Sequence, residues 1–223
     1  MSENAKPSLL LHSCCGPCST AVIERLLDRF EITVFFYNPN MSDLEEYERR
    51  TKAQRIVIDR FNQMTDDGTE IKYIESPYQP DAFIEAAKGY EDQPEGGKRC
   101  TKCFGLRLGE TAKLAKAENY EYFATTLTVS PHKNSKLISQ IGNALSEQHD
   151  IKYLDENFKK KDGFKRSIEL SKEFGLYRQD YCGCKYSIWW DSEEERIEAA
   201  RVAEEKAKQR ALEKAQRQMK VLI

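Results

Sequence analysis

Two hydrophobic rhythms alternate along the chain. Short runs that are apolar along most of their length, Ser8–His12, Ile32–Tyr37, Ile71–Glu75, Tyr122–Leu127 and Ile151–Leu154, have the length and side-chain content of buried strands. Between them the spacing lengthens to that of amphipathic helices. Ser19–Phe30 sets Val22, Ile23, Leu26, Leu27 and Phe30 on one face, and Asp43–Met64 repeats Ala53, Ile56, Val57, Phe61 and Met64. Asn134–Glu147 does the same with Leu137, Ile138, Ile141, Ala144 and Leu145. Further helices are expected near Asp81–Lys88, from Cys100 to about Ala117, and over Ser167–Phe174.

Strands separated by helices of this length predict βαβ units, hence an α/β fold: a mostly parallel sheet flanked by helices. Right-handed crossovers put the carboxyl ends of the strands at one edge, and ligands of such sheets bind there, where the strand order reverses. From Ser192 to about Met219 the pattern changes to Glu, Lys, Arg, Gln and Ala, without Gly or Pro. We expect a cysteine-rich α/β domain over 1–190 and a charged helical extension over 191–223. Its charges are those of a solvated helix held by i,i+4 pairs; gripping RNA or a second subunit is the alternative.

A formal net charge of −2 over 223 residues gives nucleic-acid binding no general support and leaves it to local basic patches. No apolar run approaches the roughly 18–20 residues needed to span a bilayer. Met1-Ser2-Glu3-Asn4 is not a basic leader followed by an apolar stretch, so a cytoplasmic protein without a membrane partner is expected.

Cysteine changes the picture most. Seven cysteines fall in three clusters: Cys14, Cys15 and Cys18; Cys100 and Cys103; Cys182 and Cys184. An odd number in a reducing compartment argues against a disulfide scaffold and for metal or redox chemistry. With only three histidines, any multi-ligand metal site must be mostly thiolate. His12-Ser13-Cys14-Cys15-Gly16-Pro17-Cys18 joins the first strand to the first helix, the place of phosphate and cofactor loops in parallel sheets. A helix N-terminus there favours thiolate. Cys100-Thr101-Lys102-Cys103 is expected at another helix start, so thiolates from two loops can converge. Both iron–sulfur and zinc suit such ligands. Tyr181-Cys182-Gly183-Cys184 reads as a metal-binding pair, a dithiol that cycles with a disulfide, or two inert thiols in a turn.

Smaller features lie at the same expected edge. His12 reads as a packed, hydrogen-bonded histidine. Tyr37, Asn38 and Asn40 follow the second strand, where the amides either make an Asx turn or face a ligand. Together with Arg50, and with Lys133 from Ser130-Pro131-His132-Lys133-Asn134, they are candidates for substrate contact. Asp180 and Tyr181 are candidate proton donors.

In combination these residues resemble the epoxyqueuosine reductases of the QueH type. The resemblance is carried by Leu11 to Ser19, by Phe36 to Asn40 with Glu46, Tyr47 and Arg50, and by Arg99, Cys100, Cys103, Phe104, Arg107 and Leu108. It continues through Ala124 to Leu127, Ser130 to Lys133, Gln179 to Cys184, Tyr186 and Ser187, spanning residues 8–190. It implies an adenine-nucleotide-hydrolase-like sheet and reduction of epoxyqueuosine to queuosine at the wobble position of tRNA. It also implies an external electron donor, a 4Fe–4S cluster and an additional metal ion, iron or zinc. Cys14, Cys15, Cys100 and Cys103 would be the metal-binding thiols; the resemblance leaves the part of Cys18 open and says nothing of oligomeric state. Asp180, Tyr181, Cys182 and Cys184 would be catalytic, the two cysteines as a redox-active pair able to form a disulfide. Phosphate contacts are expected from Lys98, Arg99, Lys133, Lys159–Lys161 and Lys165. The alternatives are a zinc-stabilised tRNA-binding protein and an ATP-using tRNA-modifying enzyme; the second needs a phosphate loop, and cysteines stand in its place.

Overall fold

A computed structural model describes residues 6–65, 69–187 and 209. The expected charged tail, 191–223, falls outside them apart from that one position. Five strands form one all-parallel sheet: β1 (Ser8–His12), β2 (Glu31–Phe36), β3 (Lys72–Glu75), β4 (Tyr122–Thr125) and β5 (Lys152–Tyr153), in the order β3-β2-β1-β4-β5. The helices are α1 (Gly16–Leu26), α2 (Leu44–Met64), α3 (Pro80–Ala87), α4 (Lys98–Ala117), α5 (Ser135–His149) and α6 (Gly163–Glu173). Among the described residues no helix is long and apolar enough to cross a membrane.

The alternation of β1 sets the layers. Leu9 and Leu11 pack with Val22, Ile23 and Leu26 of α1, Val57 and Phe61 of α2, and Leu170 of α6. Leu10 points the other way and meets Ala112 and Ala115 of α4 with Phe123 of β4. Burying each such leucine contributes about 1.5–3 kcal/mol. Because β2 and β3 lie on one side of β1 and β4 and β5 on the other, the order reverses between β1 and β4. The loops leaving those two strands diverge there and open the crevice in which doubly wound sheets bind ligands.

Several boundaries differ from the pattern-based expectation, α6 beginning at Gly163 and not Ser167 among them, and three bear on the crevice. α1 begins at Gly16, with Pro17 in its first turn, so Cys18 lies inside the helix. α4 begins at Lys98 rather than Cys100, which puts Cys103 in its second turn. The expected fourth strand leaves the sheet after Thr125 as a 3-10 turn over Thr126–Val129, because the Thr125 side chain accepts from Leu127 N.

Gly16 is where α1 crosses α2: a Cβ there would lie 2.6 Å from the Ala53 carbonyl oxygen. Gly16→Ala should therefore lower the free energy of unfolding by about 1–3 kcal/mol through overpacking. Gly105, inside α4, has open space at its Cβ position, and Gly105→Ala should raise it by about 0.5–1 kcal/mol. Denaturant titration of both variants checks the contrast.

Candidate metal and redox site

The β1–α1 loop is built around two buried anchors. His12 is fully buried; its Nε2 donates to the Tyr37 carbonyl at 3.1 Å, so Nδ1 accepts from the Thr125 hydroxyl at 2.9 Å. Burial, assisted by the Arg107 charge, holds its pKa down at about 3, so the ring is neutral and structural. Ser13 donates its N–H to the Phe35 carbonyl and its hydroxyl to Gln54 Oε1. The next residue, Cys14, enters the crevice with its N–H on Thr126 Oγ1.

Here three thiols meet. The sulfurs of Cys14, Cys15 and Cys18 all lie within 4.8 Å of one another, with Cys14 and Cys15 3.7 Å apart. Tetrahedral ligation with sulfurs about 2.3 Å from a metal spaces them by about 3.8 Å, so the triad suits one ion with a fourth position open. Gln179 Nε2 donates to Cys15 Sγ at 3.0 Å, and the Thr126 hydroxyl points at Cys14 Sγ from 3.6 Å. The Cys14 thiol is held well below its ordinary pKa, first by donation from Cys15, then from Cys18, with Arg107 and Lys133 adding positive potential. Its neighbours move the other way: Cys15 is pushed up to about 11 and Cys18 also upward, chiefly because each serves as donor to Cys14. Of the three, Cys14 is therefore the thiol most inclined to ionise.

The other four cysteines line the opening beside this triad. Cys100, Cys103, Cys182 and Cys184 border one pocket with Lys133 and Phe104. Cys18 and Cys100 pack against the apolar cluster that contains Cys14, Cys15 and Phe104, so the two distant cysteine stretches share one region. Among the described residues, however, only the 14–15–18 group closes to within metal-ligand distance. All seven thiols are unpaired. The helix start does not lower the thiols of α4 as expected: burial raises both, Cys103 to about 12, and outweighs the helix end. Burial also lifts Cys184 to about 11.

Positive charge reaches the thiols from several side chains, Arg50 and Arg99 included, and Arg107 and Lys133 act on both sets. Arg107 is buried; it donates to Asn38 Oδ1 and stands 4.0 Å from Cys103 Sγ while its field also acts on Cys14. The half-buried Lys133 lies near Cys14, Cys18 and Cys182; burial alone would lower its pKa, but the attraction of the sulfur group outweighs it and the net shift is upward. The spacing of Arg99, Cys103, Arg107 and Thr111 is the sequence signal for Arg107: it puts all four on one buried stripe of α4.

The remaining candidates divide. Tyr37 is buried and stacked on Phe35; Asn38 donates to the Ser13 carbonyl; Asn40 donates to the Cys182 carbonyl and has an unpartnered buried Oδ1. Arg50 is buried and uses all three guanidinium nitrogens on the chain itself. Asp180 is exposed, and Tyr181 is half-buried with its phenol pushed up to about 12, chiefly by burial. Arg99 corrects an expectation: it is buried, donates to the carbonyls of Glu91, Gln93 and Tyr186, and is not placed to meet a phosphate. Gln179 and Gln54 had no assigned role, since nothing in their sequence context announces contacts with residues so distant along the chain.

Comparison with known proteins adds to this geometry. The family described as epoxyqueuosine reductase QueH matches residues 9–189. The chain is 42% identical over 185 residues to the epoxyqueuosine reductase QueH of Streptococcus pyogenes, covering 83% of this chain and 72% of the relative. It is 43% identical over 187 residues to that of Staphylococcus epidermidis, covering 83% and 78%, and 37% identical over 182 residues to that of Thermotoga maritima, covering 81% and 90%.

Cobalt(II) added without oxygen to the reduced, metal-free protein should give thiolate-to-metal absorption. Cys14→Ala or Cys18→Ala should weaken that binding by about tenfold or more, and Cys184→Ala should change it by less than about threefold. An optical titration that gives equal affinity for wild type and Cys18→Ala would show that the triad is not the ligand set.

Proposed function

The chain belongs to the epoxyqueuosine reductase QueH family, and from that premise we propose that it reduces epoxyqueuosine to queuosine in tRNA by metal-assisted chemistry in the cytoplasm. The observation that carries this reading is the gathering of seven unpaired thiols, with the buried guanidinium of Arg107 beside them, near the crevice where the sheet order reverses. The reaction domain is 1–190.

Cys14, Cys15, Cys100 and Cys103 would hold a 4Fe–4S cluster and an additional iron or zinc ion, with Cys18 completing the triad. The donor set fits: it is all cysteine sulfur, ready to ligate as thiolate once a metal displaces the protons, and it sits near buried cations. When bound, these groups supply single electrons and a Lewis acid for the epoxide oxygen.

Removing an epoxide oxygen to leave an alkene consumes two electrons and two protons and releases water. Oxidation of Cys182 and Cys184 to a disulfide yields two electrons and two protons, and an external donor restores the dithiol. Tyr181, whose raised pKa keeps it protonated at neutral pH, and Asp180 stand in the same turn as proton donors. Lys133 sets a cation at the opening, where it can meet phosphate or the developing negative charge on oxygen. Tyr37, Asn38 and Asn40 would be substrate contacts, and of these Asn40 keeps a buried Oδ1 with no partner in the protein, free to accept from a hydroxyl or amide. Exposed Lys98, Lys160, Lys161 and Lys165 would meet tRNA phosphates, with Lys159 behind Lys133.

A zinc-stabilised tRNA-binding protein is the second reading, favoured by the 3.7 Å spacing of Cys14 and Cys15. The two part in one experiment. Protein purified without oxygen should be brown and, with a reductant, convert epoxyqueuosine in tRNA to queuosine, as nucleoside mass spectrometry would register. Cys100→Ala should lose both colour and product. Colourless, zinc-loaded protein that leaves the nucleoside unchanged would support the second reading instead. Binding of the tRNA should weaken with salt, and Lys133→Ala should reduce the slope of log affinity against log salt by about 0.7–0.9, the share of one phosphate contact.

A further inference from the structure

The turn that carries Cys182 and Cys184 is attached to the molecule by its carbonyls. Arg50 Nη2 donates to the Tyr181 carbonyl and Nη1 to the Cys182 carbonyl, each at 3.1 Å. Asn40 Nδ2 adds a bond to the Cys182 carbonyl, and Ser42 N–H donates to the Gly183 carbonyl at 3.0 Å. Three successive carbonyls are therefore held by donors from the β2–α2 connection and α2. Gly183 adopts φ +94, and a Cβ there would stand 3.1 Å from Arg50 Nη2 and 3.2 Å from Met41 Cγ, so the turn lies flat on the guanidinium.

The guanidinium is itself fixed. Arg50 is 2% exposed and Glu46 3%. Nε donates to Glu46 Oε1 at 2.6 Å, one helical turn back, and the Tyr177 hydroxyl donates to Glu46 Oε2 at 2.7 Å. The Tyr181 ring stacks 5.4 Å from the guanidinium carbon. Every nitrogen of Arg50 is thus engaged by the protein, and the bonds run from Tyr177 through Glu46 and Arg50 back to the same segment. An ion pair this buried is costly to assemble and costly to break from one side, and what it fixes here is backbone.

We propose that Arg50, locked by Glu46 and Tyr177, is a positioning residue that holds the Cys182-Gly183-Cys184 turn so that Cys182 faces the pocket it shares with Cys100, Cys103 and Lys133. It acts on the reaction through the turn and does not contact the substrate. A lysine cannot replace it, because one ammonium does not reach two carbonyls and a carboxylate in the planar fork of a guanidinium. The catalytic part of the inference rests on the reductase reading above; the structural part does not.

The test is residue-resolved alkylation of the reduced protein with iodoacetamide under anaerobic conditions, read by mass spectrometry, together with kcat and KM for tRNA containing epoxyqueuosine. Arg50→Gln and Arg50→Lys should speed alkylation of Cys182 by about tenfold, the factor expected for losing one charged hydrogen bond, and leave Cys100 within about twofold. Iron content and melting temperature report that the rest of the fold persists. Should neither Arg50 variant fold, Tyr177→Phe removes only the hydroxyl on Glu46 and should still speed Cys182 by about threefold. kcat should fall by about tenfold or more with KM changed by less than about threefold, as for a group acting on geometry and not on binding. A raised KM with kcat and Cys182 reactivity unchanged would overturn the proposal and make Arg50 a substrate contact. If wild-type protein fails to reduce epoxyqueuosine, the reductase reading fails, and the alkylation result alone still decides whether Arg50 holds the turn.

Discussion

A guanidinium buried against an amide needs anionic charge nearby, and Arg107 finds it in sulfur. Desolvation of a cation costs several kcal/mol unless an opposite charge offsets it. The side chain of Arg107 is bonded to Asn38 and stands beside Cys103, and its field reaches Cys14, the thiol whose pKa is lowered and which is best able to supply that charge. The same field that asks for thiolate lowers the Cys14 pKa and helps keep His12 neutral. Thiolate ligands bound to metal would satisfy Arg107, and Arg107 would moderate the negative charge such ligands accumulate. Each side lowers the cost of burying the other.

The sheet supplies the place. A crossover order that reverses between β1 and β4 leaves a crevice over the carboxyl ends, and the loop after β1 is the one that nucleotide-binding relatives of this architecture fill with glycines and phosphate. Cysteines occupy it here. Gly16 lets the loop run close enough to α2 for the turn to close, and Thr126, in the 3-10 turn after β4, holds Cys14 from the other wall. The long helix α4 crosses the opening and brings Arg99, Cys103 and Arg107 inward on one stripe. The segment after α6 then closes the site from above, touching Cys15 through Gln179 and α2 through Arg50.

Much of this was legible in the sequence, and the reasons differ by element. β1 ends where its apolar run ends, and α2 and α5 follow their periodic faces to within a few residues, because burial of one stripe is what defines them. The cysteine clusters fell at or within two turns of strand and helix ends, where side chains reach the crevice over the sheet edge. The start of α1 was less legible: Pro17 is a local signal for a start before Cys18, but the approach of Gly16 to Ala53, which fixes the helix there, is a tertiary effect. Arg99 was read as a surface cation by its residue type, and only packing on α4 reveals that it is buried. Apart from Glu46, one turn before Arg50, the partners cited for Arg50, Gln179 and Asn38 lie 25 to 164 residues away along the chain, so their roles emerge only with the fold.

Anomalous scattering at the iron absorption edge, from crystals grown without oxygen, tests most directly whether the two cysteine stretches frame one iron-bearing centre. The account predicts iron peaks bonded to Cys14 and its neighbours on one side and reaching Cys100 and Cys103 on the other. Signal from zinc alone at the triad, or iron bound away from these sulfurs, would contradict it.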